Sequence, residues 1–205
     1  MTRIDDVLSD LLEGSQLRGA VFCRSVARPP WSLRFAARPE AIFHLVTEGT
    51  ALLLSGPTKL ALAQGDLVLL PRGDAHGLAD HPRSKPIDLA AWLAAHDPRE
   101  PTMRIGGSRG PETRVLCGAY RFDGLGIHHP VLRLLPAVVH LAAARTRAHI
   151  DLAVTLGSLA REQESGARGS TVIVSRLLDV AFVQCFVAAL LARHDARHVL
   201  DRAHP

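Results

Sequence analysis

Apolar positions recur along this chain with two different periods. Ile4, Val7, Leu8, Leu11 and Leu12 fall at helical spacing, and Gly14 stands where that helix would stop. From about Gly19 to Asp80 the period shortens to that of strands. Ala20–Cys23 is a short apolar run, and Trp31, Leu33 and Phe35 alternate with polar neighbours after the Pro29-Pro30 break. Further strands are predicted at Ile42–Val46, Ala51–Leu54, Lys59–Leu62, Leu67–Leu70 and Ala75–Leu78. Turn chemistry separates them: Glu48-Gly49, Ser55-Gly56-Pro57, Gln64-Gly65-Asp66 and Arg72-Gly73-Asp74. Short strands at this spacing predict an antiparallel sandwich or barrel.

The segment from Asp80 to Gly110 is rich in Pro, Arg and Asp, and within it Ile87–Ala95 reads equally as a strand or a short helix. Arg114–Phe122 reads as one more strand. After His128-His129-Pro130 the helical period returns in three blocks: Val131–Leu141 (interrupted by Pro136), Asp151–Glu164 and Ser170–Arg193. The last is apolar around much of its circumference, which fits burial against its own barrel or a subunit interface. The pattern therefore predicts a mainly β fold with C-terminal helices, an α+β chain divided at about residues 1–125 and 126–205.

Composition narrows the field. Of 205 residues, 47% are apolar and 21% charged, which excludes a disordered chain. No run approaches 18 uninterrupted apolar residues, the length that would predict a transmembrane helix, so no membrane contact is expected. The first residues, Met1 to Asp6, lack the apolar core of a signal peptide, and a cytoplasmic location is expected. The net charge of +4 comes largely from arginines scattered singly; Lys59 and Lys85 are the only lysines. Nothing forms the basic run of a nucleic-acid arm. Three distant cysteines, Cys23, Cys117 and Cys185, argue against a disulfide framework. No Gly-x-Ser-x-Gly, P-loop or dinucleotide fingerprint is present.

The most specific motif runs from Gly65 to His76. Gly65, Pro71, Gly73 and His76 match every fixed position of Gly-x5-Pro-x-Gly-x2-His, and so resemble the second signature of the cupin family. The resemblance implies a double-stranded β-barrel, or jelly roll, with His76 pointing inward. The first cupin signature is mostly lost: Ile42 stands where its glutamate belongs, and the His-x-His is absent. His44, two residues after Ile42, faces the same way and is an alternative ligand. The succession of blocks from the N-terminal helix to Ser175–Gln184 is similar to the N-terminal cupin domain of AraC-type transcriptional regulators. That resemblance implies a domain that binds a small-molecule effector, forms a homodimer through its trailing helices, and reaches DNA through a C-terminal helix-turn-helix domain that this sequence does not include.

The candidate chemistry follows from these motifs. His44 and His76 on neighbouring strands suit zinc or another divalent ion, and Cys117 on the last predicted strand is the expected third ligand. Core burial is the competing reading for each of them. Trp31, Phe35, Glu40 and Ile42 are candidates for an effector pocket; for Trp31 the alternation with Leu33 and Phe35 makes core packing the default, and Glu40 reads as solvated at the strand entrance or as a residue of the barrel mouth. His128 and His129 face opposite ways and do not suggest joint ligation. Cys23 and Cys185 read as core, Cys185 alternatively as interface. Two alternatives remain: a small metal-dependent cupin enzyme (dioxygenase, isomerase or lyase), and a metal- or redox-sensing cupin that uses Cys117.

Overall fold

The computed structural model describes residues 17–96, 102–122, 128–143, 150–165 and 167–202. The predicted helix at Ile4–Leu12 lies outside these residues. Eight strands come first: β1 (Arg18–Arg28), β2 (Ser32–Phe35), β3 (Ala41–Glu48), β4 (Thr50–Ser55), β5 (Thr58–Ala63), β6 (Leu67–Leu70), β7 (His76–Ala79) and β8 (Ile87–Asp88). Then follow α1 (Leu89–Ala95), β9 (Thr102–Gly106), β10 (Thr113–Arg121), α2 (Pro130–Arg133), β11 (Val139–Leu141), α3 (Ile150–Ser165) and α4 (Ser170–Arg202).

Two sheets face each other. One has six strands in the order β11-β6-β3-β10-β1-β9, and the other has five in the order β5-β4-β7-β2-β8. The core between them is formed by alternate residues of the strands: Leu33 and Phe35 of β2, Ile42 and Val46 of β3, Val115 and Cys117 of β10. On its other face the six-stranded sheet is covered by the helices, through Phe43, Leu45, Tyr120, Phe182 and Phe186 among others. Ala41 to Val46 is consequently buried without a break. The architecture is the predicted one, strands in two sheets with C-terminal helices.

Three segments differ from the sequence prediction in ways that have physical causes. Ile87–Ala95 is both of its alternatives, because Asp88 ends β8 and then caps α1, its side chain accepting from the Ala91 N–H. Val131–Leu141 is not a helix: α2 stops after one turn, Pro136 cannot continue it, and β-branched Val139 starts β11. β11 pairs with β6 through Val139↔Leu69 and Leu141↔Leu67. The six-stranded sheet thus takes a strand from beyond residue 125, and the two halves of the chain share one core. Finally, Thr102–Gly106 is a strand within the polar segment, parallel to β1, with Met103 and Ile105 inward and Arg104 outward.

α4 is buried against its own barrel on one face, as the first reading has it, and leaves apolar residues exposed on the other. Leu178, Phe182 and Phe186 are fully buried against the chain's own sheet, whereas Val172 (64% exposed), Val180 (47%) and Leu191 (52%) remain outside. By length and composition alone, Ser170–Ala192 passes as a membrane span, but its inner face is core helix.

The turn that aims His76 is built by the matched motif. Pro71 ends β6, and Gly73 adopts φ +61°, where a Cβ would lie 2.1 Å from the Arg38 carbonyl oxygen. The Arg38 N–H donates to the Gly73 carbonyl in return. At the other end of the hairpin, the buried Asp66 carboxylate accepts from the backbone N–H groups of Ala63 and Ala143 and pairs with His140 at 3.0 Å. Burial opposes ionisation of Asp66, yet these bonds hold its pKa below the usual carboxylate value.

Candidate functional site

The inner faces of β3, β7 and β10 bring His44, His76 and Cys117 together. β10 pairs with β3 so that Cys117 lies opposite His44, and β7 pairs with β2 so that His76 lies opposite Phe35. All three side chains are buried, and none of Cys117 or His44 reaches solvent. They form a chain of contacts. His44 Nδ1 lies 3.1 Å from Cys117 Sγ, His44 Nε2 lies 2.7 Å from His76 Nε2, and His76 Nδ1 lies 2.7 Å from the Asp74 carbonyl oxygen.

One proton arrangement satisfies every link without a charge. A carbonyl only accepts, so His76 Nδ1–H donates to Asp74; His76 Nε2 then accepts from His44 Nε2–H, and His44 Nδ1 accepts the Cys117 S–H. Electrostatics agrees with neutrality at each member. Burial, and then the neighbouring His76, holds the His44 pKa well below the ordinary imidazole value; burial also lowers that of His76, against the pull of the Asp74 carbonyl. Burial pushes the Cys117 thiol well up, so it is a proton donor rather than a thiolate. Phe35 completes the group, stacked on His76 with centroids 4.6 Å apart and edge-on to His44 at 4.8 Å.

This geometry does not fit the expected three-ligand metal centre. A shared ion needs lone pairs that converge on one point, whereas His44 turns its two ring nitrogens to different partners. Two imidazole nitrogens on one tetrahedral zinc stand about 3.3 Å apart, given bonds of ~2.0–2.1 Å; the observed 2.7 Å is the length of a hydrogen bond. Among the described residues no group of three or more His, Cys, Asp or Glu side chains is arranged to hold a metal ion.

The candidate pocket residues divide. Trp31 and Ile42 lie in the same inter-sheet core as Phe35, each at most 2% exposed. The Trp31 indole Nε1 is buried and has no hydrogen-bond partner. Glu40 is elsewhere, at the strand entrance, where it pairs with Arg121 at 3.3 Å. On the solvent side, a cleft of about 700 Å³ borders Phe35 and His76. Cys23 lies opposite Cys117, its sulfur 3.4 Å from Ser25 Oγ and 3.9 Å from Met103 Sδ. Cys185 is buried under the helices with its thiol pushed up to about 12. His129 stacks on Phe122, away from this group. Sequence reasoning missed Met103; the alternation Met103-Arg104-Ile105 was its only signal.

A small double-stranded β-barrel, centred on a matched Gly65–His76 turn and backed by helices, defines the structural class. The chain belongs to the Cupin family, whose match covers residues 6–186. It is 24% identical over 186 residues to the HTH-type transcriptional regulator AlkR of Acinetobacter baylyi, covering 88% of this chain and 60% of that protein. It is 28% identical over 181 residues to a Streptomyces lividans protein described as an AraC-like transcription regulator, covering 87% of this chain and 57% of that protein. The chain thus spans about three-fifths of the length of these relatives. Among solved structures, ToxT from Vibrio cholerae, bound to an unsaturated fatty acid, matches with a TM-score of 0.46 and 9% identity, over 84% of this chain and 54% of that one.

Proposed function

We propose that this chain is the effector-binding, dimerising part of an AraC-type transcription regulator in the cytoplasm, and that DNA is reached through a separate helix-turn-helix domain. The observation that carries the reading is the alignment of nearly nine-tenths of the chain with two proteins named as transcription regulators. Two structural features support it. The barrel interior holds a buried indole N–H without an acceptor, on Trp31, as ligand pockets do. It lies in the same core as Phe35 and Ile42, while the ring nitrogens of His44 and His76 are taken up by their own hydrogen-bonded chain. Outside, α3 and α4 carry an apolar strip that includes Val154, Val172, Val180 and Leu191. A second copy of the chain is its occupant in this reading.

Effector binding acts by favouring one arrangement of barrel and helices, and its influence is limited to its differential affinity for the two arrangements. The test is a fusion of this chain to a DNA-binding domain that needs a dimer to bind its operator. Operator binding is expected with the wild-type chain and is expected to fail with Val180→Glu, with the same variant monomeric in sedimentation. Operator binding that is unchanged by Val180→Glu, or a wild-type chain monomeric at high micromolar concentration, overturns the dimer reading.

A further inference from the structure

A second cavity, of about 450 Å³, lies on the helix-covered side of the six-stranded sheet, where β1 passes beneath the junction of α3 and α4. Its volume is in the range of small-molecule pockets. Ala20, Val21 and Val174 supply apolar wall, and Ser170, Thr171 and Ser175 supply hydroxyls. The two charged residues that line it are Arg24 and Glu162. Glu162 is already engaged, accepting from Ser170 Oγ at 2.6 Å. Arg24 is engaged on one corner only: its Nη1 donates to the Gln163 carbonyl oxygen. Its Nε is shielded from solvent and has no hydrogen-bond partner.

That arrangement has a chemical consequence. Anchoring Nη1 sets the plane of the guanidinium and leaves over the Nε/Nη2 edge, the edge on which a carboxylate sits with two parallel hydrogen bonds. A smaller void of about 120 Å³ continues from Arg24 past Arg104, Arg114 and Glu164, and there Arg114 is already paired with Glu48 and Glu112. The walls are preformed. The Gly19 N–H is tied to Asp179 at 3.0 Å, and a Cβ on Gly19 would lie 2.5 Å from that of Leu178, so β1 and α4 are in close contact beside the cavity.

We propose that this cavity binds an organic monocarboxylate, its carboxylate on the Nε/Nη2 edge of Arg24 and its hydrocarbon part along Ala20, Val21 and Val174. The site is separate from the barrel interior and bridges β1 to the helix that carries the exposed apolar strip. Occupancy therefore couples a ligand directly to the position of α4.

The test uses the full chain with hexanoate, and hexan-1-ol as its uncharged counterpart, followed by calorimetry and amide chemical shifts. Hexanoate is expected to move amides of residues 19–24 and 170–175 and to bind at least about tenfold more tightly than the alcohol, the ratio a charge-assisted pair produces. Arg24→Gln is expected to lower hexanoate affinity at least about tenfold, and Arg24→Lys to restore part of it, since an ammonium offers a charge but no planar edge. Glu162→Gln, which removes the opposing charge without touching the arginine, is expected to tighten binding, and this keeps the proposal testable should Arg24→Gln not fold. Equal binding of acid and alcohol, or hexanoate affinity unmoved by Arg24→Gln or by Glu162→Gln, overturns it. Shifts confined to Trp31, Phe35 and His76 overturn it as well, while leaving the barrel as an effector site.

Discussion

The two sheets of the barrel share a core and differ in everything outside it. On the five-stranded sheet, buried and exposed positions alternate: Leu33 and Phe35 are inside and Arg34 is out, Leu62 is inside and Ala61 and Ala63 are out. In the central strands β3 and β6 of the six-stranded sheet the alternation vanishes, because helices cover the second face: β3 is buried from Ala41 to Val46 and β6 throughout, whereas β9 at the edge keeps it. One sheet therefore carries a single stabilising face, and the other carries two that do different work. Its outer face is a packing surface of aromatics, with Phe182 set against Tyr120 at 4.9 Å and Phe122 at 5.4 Å. Its inner face holds the polar chain of Cys117 and His44, closed by His76 from the opposite sheet. Apolar packing tolerates no void, whereas a buried polar chain tolerates no missing partner.

Mutations can break this contrast, beginning with the outer face. Phe182→Ala removes a fully buried ring, and a loss of about 3–5 kcal/mol in urea unfolding is expected. Val183→Ala, one residue further and 37% exposed, is expected to stay within about 0.5 kcal/mol. A comparable loss from both would remove the distinction between the two faces of α4. At the turn that sets His76, Gly73→Ala is expected to cost about 1–3 kcal/mol for the left-handed backbone, and more for the clash with Arg38.

On the inner face, His44→Ala strands the Cys117 S–H and His76 Nε2, with an expected loss of about 1–3 kcal/mol. The pH dependence sharpens this point. Both imidazoles are held below their ordinary pKa, so they stay neutral in the folded chain while the unfolded chain takes up protons. Their contribution is complete above the ordinary imidazole pKa of about 6.5 and falls as pH drops below it, by at most about 1.4 kcal/mol per pH unit for each imidazole. Urea midpoints from neutral to acid pH should show this slope, and a His44→Leu, His76→Leu double variant should flatten it. Nitrogen chemical shifts should report Nε2–H on His44 and Nδ1–H on His76. Elemental analysis provides the counter-test: one metal per chain, lost in His44→Ala, His76→Ala and Cys117→Ala, would replace the hydrogen-bonded chain with a coordination centre. The smallest effect belongs to the exposed sheet, where Arg34→Ala breaks a solvated pair with Asp88 and should leave the midpoint unchanged.

Much of this architecture was legible in the order of residues because its signals are local. Gly65, Pro71, Gly73 and His76 each act within one hairpin, so the turn and the strand end follow from neighbours in the chain, and the inward direction of His76 from the resemblance that the motif carries. His44 is placed by two-residue alternation from Ile42, the position that the first cupin signature marks. Val139–Leu141 carries no local strand signal, because its strand character depends on a partner, β6, about seventy residues away. Met103 was missed because its strand is short and lies in a polar stretch that only β1 completes.

By itself, then, the sequence determined strands β1 to β7 and β10, their turns, the family-like motif and the three residues that meet in the barrel. Tertiary structure alone decided how they meet. Whether two imidazoles and a thiol converge on an ion or join end to end depends on ring orientations set by the packing of three strands, and no local pattern encodes an angle between side chains from distant segments. It also decided the surroundings of Arg24, whose Nη1 meets the Gln163 carbonyl while its Nε is shielded from solvent without a partner.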